Sequence, residues 1–323
     1  MSTYPDGAHA LRELPLAMPA GTYGDALERH RAAVRARLLR SEQARSGPDS
    51  ITWTINREMI VLAGWARAIL LQLAHPSVAA GVHQHSTFRG SLLSSLRRLR
   101  STVGAMLSIT FGDAEQMITA AAGINAIHDR VRGRVDGGAN EAYSAHDPDL
   151  QRWVHATLLD SIPLTYELLV GSLTARERDQ YCAEAAIMES LLGMPAGWLP
   201  HDSKQLDAYM CEMLASGRLV VTDTSRALAQ ALLYPPQWYL AWPAFRAMQL
   251  ITIGSLPPSI RDAYRFEWRA RDARAFARWT KLLRISRRLL PRIAREWPMA
   301  RRRLELVTPQ RLREGGFSLP RDR

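Results

Sequence analysis

The stretch AIHDRVRG, residues 126–133, places a histidine and an arginine four positions apart. These residues favour a helix, in which His128 and Arg132 would lie on one face, one turn apart. An imidazole can bind a metal ion or move a proton, and a guanidinium can pair with an acidic group. The pair therefore forms either part of a site or an ordinary stretch of surface.

The predicted helix that carries His128 has an apolar stripe. Residues of the stripe recur at spacings of three or four on the same side as His128, namely Met117, Ala121, Ile124 and Val131. The small residues 120–123 leave room beside His128 for a flat apolar ligand. A haem would fit, with its iron on His128 and a propionate near Arg132. The spacing alone also fits a histidine packed in the core, which is the more frequent case.

Two further groups of residues could complete such a site. Arg98 and Thr102 lie four apart in RRLRST, where they either flank the same ligand or belong to a solvated basic face. His83 and His85 lie in LAHPSVAAGVHQHSTF, where they either face the distal side of a ligand or lie on the surface. His155, in WVHAT, is expected to pack in the core.

Several other kinds of chemistry have no motif in this sequence. There is no GxGxxG, no phosphate-binding loop and no GxSxG, which argues against nucleotide-dependent and serine-hydrolase chemistry. The histidine-rich stretch lacks the HExxH and carboxylate spacing of zinc hydrolases and non-haem iron enzymes, so it does not predict a self-contained metal site.

The composition indicates a globular protein rather than a disordered or membrane-spanning one. Of the 323 residues 47% are hydrophobic and 23% are charged. The longest apolar stretch, VLAGWARAILLQLAHPSVAAGV, is interrupted by Arg67, Gln72 and His75. The first residues show no signal-peptide pattern, so a cytoplasmic location is expected. A cytoplasmic protein could also bind peripherally to the inner face of the membrane.

The net charge of +11 is concentrated at the C-terminus. Residues 269–323 contain 17 Lys and Arg against 5 Asp and Glu, which leaves the preceding residues close to neutral. We therefore predict a flexible leader at 1–22, a catalytic domain at 23–268 and a basic helical appendix at 269–323.

The pattern of apolar residues and helix signals predicts an all-α fold. Helices are expected near 24–45, 51–75, 91–111, 114–132, 148–170, 174–192, 203–216, 222–233, 241–254, 257–264 and 271–290. Asp113 and Asp147 are expected to cap two of them, and Gly133 to end the helix of His128. The predicted fold is a single-domain multi-helix bundle, globin-like in general character.

The ordered series of motifs resembles one family. INREMIVLAGWARAILLQLAHPSVAAGVHQHSTF, RRLRST, FGDAEQ, IHDRVRG, YSAHDPDLQRWVHATLLDS and LPPSIRDAY are similar to the latex-clearing protein (rubber oxygenase) and MpaB-type oxygenases, over roughly residues 50–265. The resemblance implies an all-α fold around haem b and oxygenase chemistry on isoprenoid-like olefins.

The resemblance also implies roles for individual residues. His128 corresponds to the proximal ligand of the haem iron, Arg132 to the arginine that follows it, and Arg98 and Thr102 to an Arg-xxx-Thr pair. Rubber oxygenases carry a lysine where this chain has Ser101. They also use a distal glutamate that has no clear counterpart here, where His85 and then His83 occupy the corresponding neighbourhood. Cleavage of a polymer is therefore not expected.

The sequence thus predicts a haem b-dependent oxygenase whose reactants are O2 and a small hydrophobic molecule, isoprenoid-like or an unsaturated lipid. The alternative is a non-catalytic haem- or lipid-binding helical protein at a membrane surface. In residues 269–295, Phe276, Trp279, Leu283 and Leu290 form an apolar stripe among arginines. That segment could lie on an anionic membrane or pack on the core with a solvated arginine face. A nucleic-acid partner is not expected, because no zinc-finger or RNA-binding signature is present.

Overall fold

The computed structural model describes residues 23–41, 47–85, 92–135, 141–234 and 242–313, and the described chain is all-α apart from one small hairpin. Its elements are α1 (Tyr23–Arg40), α2 (Ile51–Asn56), a 3-10 turn (Met59–Val61), α3 (Leu62–Leu73), α4 (Pro76–His85), α5 (Leu92–Phe111), α6 (Ala114–His128), β1 (Arg132–Arg134), β2 (Ala142–Ser144), α7 (Pro148–Leu169), α8 (Ala175–Ala185), α9 (Ile187–Leu192), α10 (Ser203–Ala215), α11 (Asp223–Leu233), α12 (Trp242–Gly254), α13 (Pro258–Ala263), α14 (Ala270–Leu289), α15 (Arg292–Arg295) and α16 (Pro298–Arg313). The predicted all-α class is confirmed. The predicted leader, residues 1–22, lies outside the described residues.

Two helix starts are set by the aspartates expected to cap them. The Asp113 carboxylate accepts a hydrogen bond from the Gln116 backbone N–H at 2.8 Å, and the Gln116 side chain accepts one in return from the Asp113 backbone. Asp147 caps α7 in the same way, with Pro148 at the first helical position. Each cap satisfies N–H groups that the first turn of a helix leaves without partners.

Two predicted long helices are broken in the structure. The segment expected as one helix at 51–75 forms α2, the 3-10 turn and α3, and α4 begins at Pro76. Proline has no N–H to donate, so it is compatible with a first turn, where that group has no partner within the helix. The segment expected at 174–192 divides near Ala186 into α8 and α9.

The centre of the fold is the crossing of α3 over α7. A Cβ atom on Gly64 would lie 2.6 Å from the Thr165 hydroxyl oxygen and 2.7 Å from the Ser161 carbonyl oxygen, so only glycine allows this approach. One turn later the buried Arg67 guanidinium donates to Asp160, to the Ser161 hydroxyl at 2.6 Å and to the Ser255 carbonyl at 2.8 Å. These bonds tie the two helices to each other and to the end of α12.

The C-terminal helix α14 packs on this core. Phe276 contacts Trp268 edge-on, with ring centroids 6.2 Å apart, and Leu283 packs against the main apolar cluster. Arg287 is buried and makes a bidentate pair with the buried Glu58, including a 2.9 Å bond from Nε. Most of the stripe predicted in this segment thus packs on the core. The division of the chain at residue 268 stays a prediction.

No single helix among the described residues is long and apolar enough to span a membrane. Met59–Leu73 and Pro76–His85 meet the criteria of length and composition only as a pair, with a bend of 107° between them.

Breaking the buried pair from one side should show how far α14 contributes to stability. Arg287→Met leaves the Glu58 carboxylate buried without its cation and should lower the free energy of unfolding by about 3–5 kcal/mol. The double variant Arg287→Met/Glu58→Leu should recover most of that loss, because neither member of the pair is then left as an unpaired buried charge. Urea unfolding followed by circular dichroism measures both.

The matched control is Arg35→Met, which removes an exposed ion pair with Glu115 and should hardly change the midpoint. If the double variant were as unstable as Arg287→Met, the loss of the ion pair itself, and not the cost of one unpaired buried charge, would account for the instability.

Candidate functional site

His128 is the last residue of α6, and its ring is largely enclosed. Its Nδ1 atom is buried and has no hydrogen-bond partner among the described residues. The pKa of His128 is lowered to about 4, first because burial disfavours the charged ring, and then because His146 and His155 would add like charge. The imidazole is therefore neutral at pH 7, which is the form that binds a metal.

Arg132 does not lie on the helix of His128, and the prediction that it does is wrong. The helix ends at His128, residues 129–130 turn, and Arg132 begins β1, where it pairs with Ser144 of β2. The Ala145 N–H donates to the Val131 carbonyl at 2.8 Å, so the chain leaves the helix to form the hairpin. The Arg132 side chain is exposed, and its proposed contact with an acidic group stays a prediction.

Gly133 has a different role from the one expected. It lies in β1 rather than at a left-handed helix end, and its φ is not positive. A Cβ atom there would lie 2.6 Å from Gln84 Oε1 and 2.8 Å from the Tyr143 hydroxyl oxygen. The glycine therefore allows the close packing of α4 on the hairpin.

The hairpin brings His85 beside the segment that follows His128. His85 ends α4 and is exposed, and its Nε2 lies 3.0 Å from the Arg132 carbonyl oxygen. Because a carbonyl only accepts, Nε2 must carry the proton, which leaves Nδ1 of the neutral ring as an acceptor. The edge of this ring faces Tyr143, with centroids 6.4 Å apart. His83 is exposed on the same helix.

Arg98 and Thr102 lie on α5, which forms an antiparallel pair with α6 around Gly112. Every residue of a helix advances the chain by the same distance, so residues equally far from the turn lie side by side. Residues 98–102 are therefore about level with residues 123–127, near the His128 end of α6. The Thr102 side chain is exposed, and the Arg98 side chain lies outside the described residues. Their roles stay predictions.

An apolar cleft opens between α5, α7, α9 and the C-terminal segment. It is partly open to solvent, and Met106, Met117, Leu159, Met188 and Trp297 are among its lining residues. His155 lines the same cleft. A lining of this kind favours an apolar ligand.

Sequence reasoning placed His155 in the core, and the structure places it in the wall of the cleft. Burial lowers its pKa to about 4, so this imidazole is also neutral at pH 7. A signal was available, because His155, Leu158, Leu159 and Ile162 recur at helical spacing and all line the cleft. The pattern could not distinguish a helix face that lines a cleft from one that packs in the core.

Sequence reasoning also missed a network beside His128. The Asp129 carboxylate lies 2.8 Å from His30 Nε2 on α1 and 2.8 Å from His146 Nε2 before α7. The His146 ring stacks on His30 and meets the His128 ring edge-on, with centroids 6.2 and 5.8 Å apart. Burial raises the pKa of Asp129, but the two hydrogen bonds outweigh it and leave the pKa below its usual value.

This network fixes the end of α6 from two sides. No spacing in the sequence predicts it, because His30 lies 99 residues before Asp129. Within the described ranges, no group of three or more His, Cys, Asp or Glu side chains could hold a metal ion.

Residues 52–285 match a family model described as "ER-bound oxygenase mpaB/B'/Rubber oxygenase, catalytic domain", which confirms the resemblance seen in the sequence. Two uncharacterised proteins, from Mycobacterium bovis and Mycobacterium tuberculosis, are each 27% identical over 229 residues, covering 70% of this chain and 88% of each relative. No solved structure gives a significant match. The matched residues run from α2 into α14 and include His128.

The Asp129 network should be visible in stability measurements. Asp129→Ala removes the acceptor that His30 and His146 share, and should lower the free energy of unfolding at pH 7 by about 1–2 kcal/mol. Because the folded pKa of Asp129 lies below the unfolded one, its contribution is present above the unfolded pKa and disappears as the pH falls through the folded pKa.

Denaturant titrations of Asp129→Ala and the unmodified chain should therefore converge at low pH. Asp223→Ala is the control, since that carboxylate is exposed and pairs with Arg226 on its own helix. A constant difference at every pH would show that Asp129 acts through packing and not through its charge.

Proposed function

The chain belongs to the family of mpaB and rubber oxygenase catalytic domains, and from that membership we propose a haem b-dependent oxygenase acting on carbon–carbon double bonds. Membership supports a general oxygenase role, while the haem, the substrate and the residue roles are this proposal's own. Its reactants are O2 and a small hydrophobic molecule, isoprenoid-like or an unsaturated lipid. The observation that carries the proposal is the largely enclosed, neutral His128 imidazole, with its unpartnered Nδ1 and with its pKa influenced by His155, which lines the apolar cleft.

The residues present fit a haem. His128 would hold the iron, because its ring is uncharged and Nδ1 makes no hydrogen bond to a described residue. Arg132 is exposed and could pair with a propionate, and Arg98 on α5 would be a second cation for the same purpose. A bound haem would supply redox-active iron for the activation of O2.

The protein's own contribution is to bind, orient and exclude water. The apolar walls of the cleft would bind an olefin by removing its surface from water. The Asp129–His146 network would hold the end of α6, so that the His128 ring keeps one orientation. The edge-on contact of the His146 ring limits how far the His128 ring can turn.

Proton transfer would fall to histidines rather than to a glutamate. His85 donates to the Arg132 carbonyl from Nε2, so its neutral ring can accept a proton at Nδ1. We propose His85 first and His83 second for this role, with the Thr102 hydroxyl as an additional polar group. His155 is one of the polar side chains that line the cleft, and it could hydrogen-bond to a ligand there.

Visible spectroscopy of the haem-loaded protein tests the role of His128. His128→Ala should lose most of the bound haem and the Soret band of the purified protein, while its far-ultraviolet circular dichroism stays unchanged. Carbon monoxide added to the reduced unmodified protein should shift the Soret band, since a protein that reacts with O2 must let a small gas molecule reach the iron.

His201→Ala is the matched control, because His201 lies near the start of α10 and outside the cleft. Full haem content and an unchanged reduced spectrum in His128→Ala would show that another residue binds the iron.

Oxygen consumption separates an oxygenase from a protein that only binds haem or lipid. With haem loaded and reduced, uptake of O2 should depend on an unsaturated isoprenoid or lipid and should be absent with the saturated analogue. If no unsaturated compound in a broad panel stimulated uptake, the protein would be a binding protein instead.

A further inference from the structure

Helix α14 has two faces of opposite character. Phe276, Trp279 and Leu283 recur at helical spacing and are half-buried toward the core, and Arg287 is buried beside them. Phe276, Trp279 and Leu283 belong to the stripe that the sequence predicts for a membrane surface, and in the structure they face the core, whereas Leu290 of the same stripe is exposed. Any surface for a partner must therefore lie on the other side of the helix.

The other side carries apolar residues that are exposed. Leu282, Ile285 and Leu289 are 52%, 48% and 81% exposed and lie at positions i, i+3 and i+7. Leu290 and Ile293, at 46% and 65%, continue the exposed apolar surface past the helix end. Five of the twelve exposed large hydrophobic residues in the described chain thus lie within twelve positions. Isolated exposed apolar residues are ordinary, but a cluster marks a site of interaction.

Cations share this side of the helix. Its exposed basic residues are Arg271, Arg274, Arg278, Lys281 and Arg288. At 100° per residue they fall with the three apolar residues of α14 in a sector of about 120°. We call these eight residues the outward face.

The acidic side chains in this segment offset little of that charge. Between residues 269 and 296 the acidic residues are Asp272 and Glu296, and both are buried. Asp272 pairs with Arg246 and, at 4.0 Å, with the exposed Arg271 of the outward face, and Glu296 pairs with Arg57 and Arg292. The charge presented along the outward face is therefore positive throughout.

We infer that the outward face of α14, continued by Leu290 and Ile293, docks on an anionic lipid bilayer. Leu282, Ile285 and Leu289 enter the boundary between headgroups and acyl chains, and the surrounding cations lie at the level of the phosphates. Long basic side chains reach the headgroups while their stems stay against apolar surface. A nucleic acid could pair its phosphates with the cations, but its backbone provides no apolar environment in which the exposed leucines and isoleucine could be buried.

The position of this surface connects it with the proposed function, on which this one consequence rests. Trp297 lines the apolar cleft and follows Ile293 by four residues. Hydrophobic olefins collect in bilayers, so a protein docked through this segment would meet its substrate at a high local concentration.

Co-sedimentation of the full-length protein with lipid vesicles tests the inference. The protein should bind vesicles of phosphatidylcholine mixed with phosphatidylglycerol far better than vesicles of phosphatidylcholine alone. Leu282→Gln/Ile285→Gln/Leu289→Gln should weaken that binding about tenfold or more, because the apolar contact is lost. Arg274→Gln/Arg278→Gln/Lys281→Gln should weaken it on the order of 100-fold, since each cation near an anionic surface contributes about a factor of five.

The control variant is Leu39→Gln/Val220→Gln, which replaces exposed apolar residues elsewhere in the described chain and should bind as the unmodified protein does. Equal binding to both kinds of vesicle, or no binding to either, would overturn the inference. It would also fail if the triple glutamine variant of the apolar residues bound normally, because the face would then be an anion-binding patch of the kind that nucleic acids use.

Two further measurements distinguish a failure of the membrane inference from a failure of the proposed function. They are haem absorbance and O2 uptake with a detergent-dispersed substrate. Both triple variants should match the unmodified protein in those measurements. Vesicle binding without haem or O2 uptake would contradict the proposed function and leave the surface standing.

Discussion

The close approach of α3 to α7 at Gly64 is the constraint on which the rest of the structure depends. With Gly64 against Ser161 and Thr165, the two helices lie near enough for the buried Arg67 to be satisfied from α7 and from the end of α12. A buried guanidinium without such partners would cost more than the apolar packing around it returns. The crossing therefore fixes α7, and α7 in turn places His155 in the wall of the cleft.

At the candidate site, burial decides the state of the histidines. The carbonyl groups at the C-terminal end of α6 favour a positive charge on His128, by about 1 kcal/mol in ordinary cases. The lowered pKa of His128 shows that loss of water outweighs this effect. Asp129, one residue further on, raises the pKa of His128, but burial and then His146 and His155 lower it by more. The result is a neutral ring beside a charged and hydrogen-bonded neighbour.

The sequence predicted local features well and long-range ones poorly. The caps at Asp113 and Asp147 depend only on residues within three positions, and both formed as expected. The sequence misplaces the end of α6 because residues 129–132 are acceptable in a helix, and only the hairpin partner 142–144 draws the chain from Arg132 onward into a strand. Each strand has only three residues, which is too short for an alternation of polar and apolar residues to predict the hairpin.

At the candidate site, too, the sequence predicts local features and does not predict long-range contacts. His128 was found because its helix carries a readable stripe, and the family resemblance rests on short motifs that keep their order. The roles of His30, His146 and His155 depend on which elements pack together. His30 lies 99 positions and His146 lies 17 positions from Asp129, and no sequence pattern predicts contacts at those separations. Arg132 is predicted on the same helix as His128, but it lies in the strand β1.

The two faces of α14 can change independently during evolution. The sector that packs on the core includes Leu283 and Arg287, and substitutions there act on stability. The outward sector includes Arg278 and Leu289, both exposed, and substitutions there leave the core contacts intact. A few mutations on one side of a single helix could therefore move such a protein between binding surfaces without altering the bundle that holds its site. Related chains would then differ most where this helix faces water, even if they share the same chemistry.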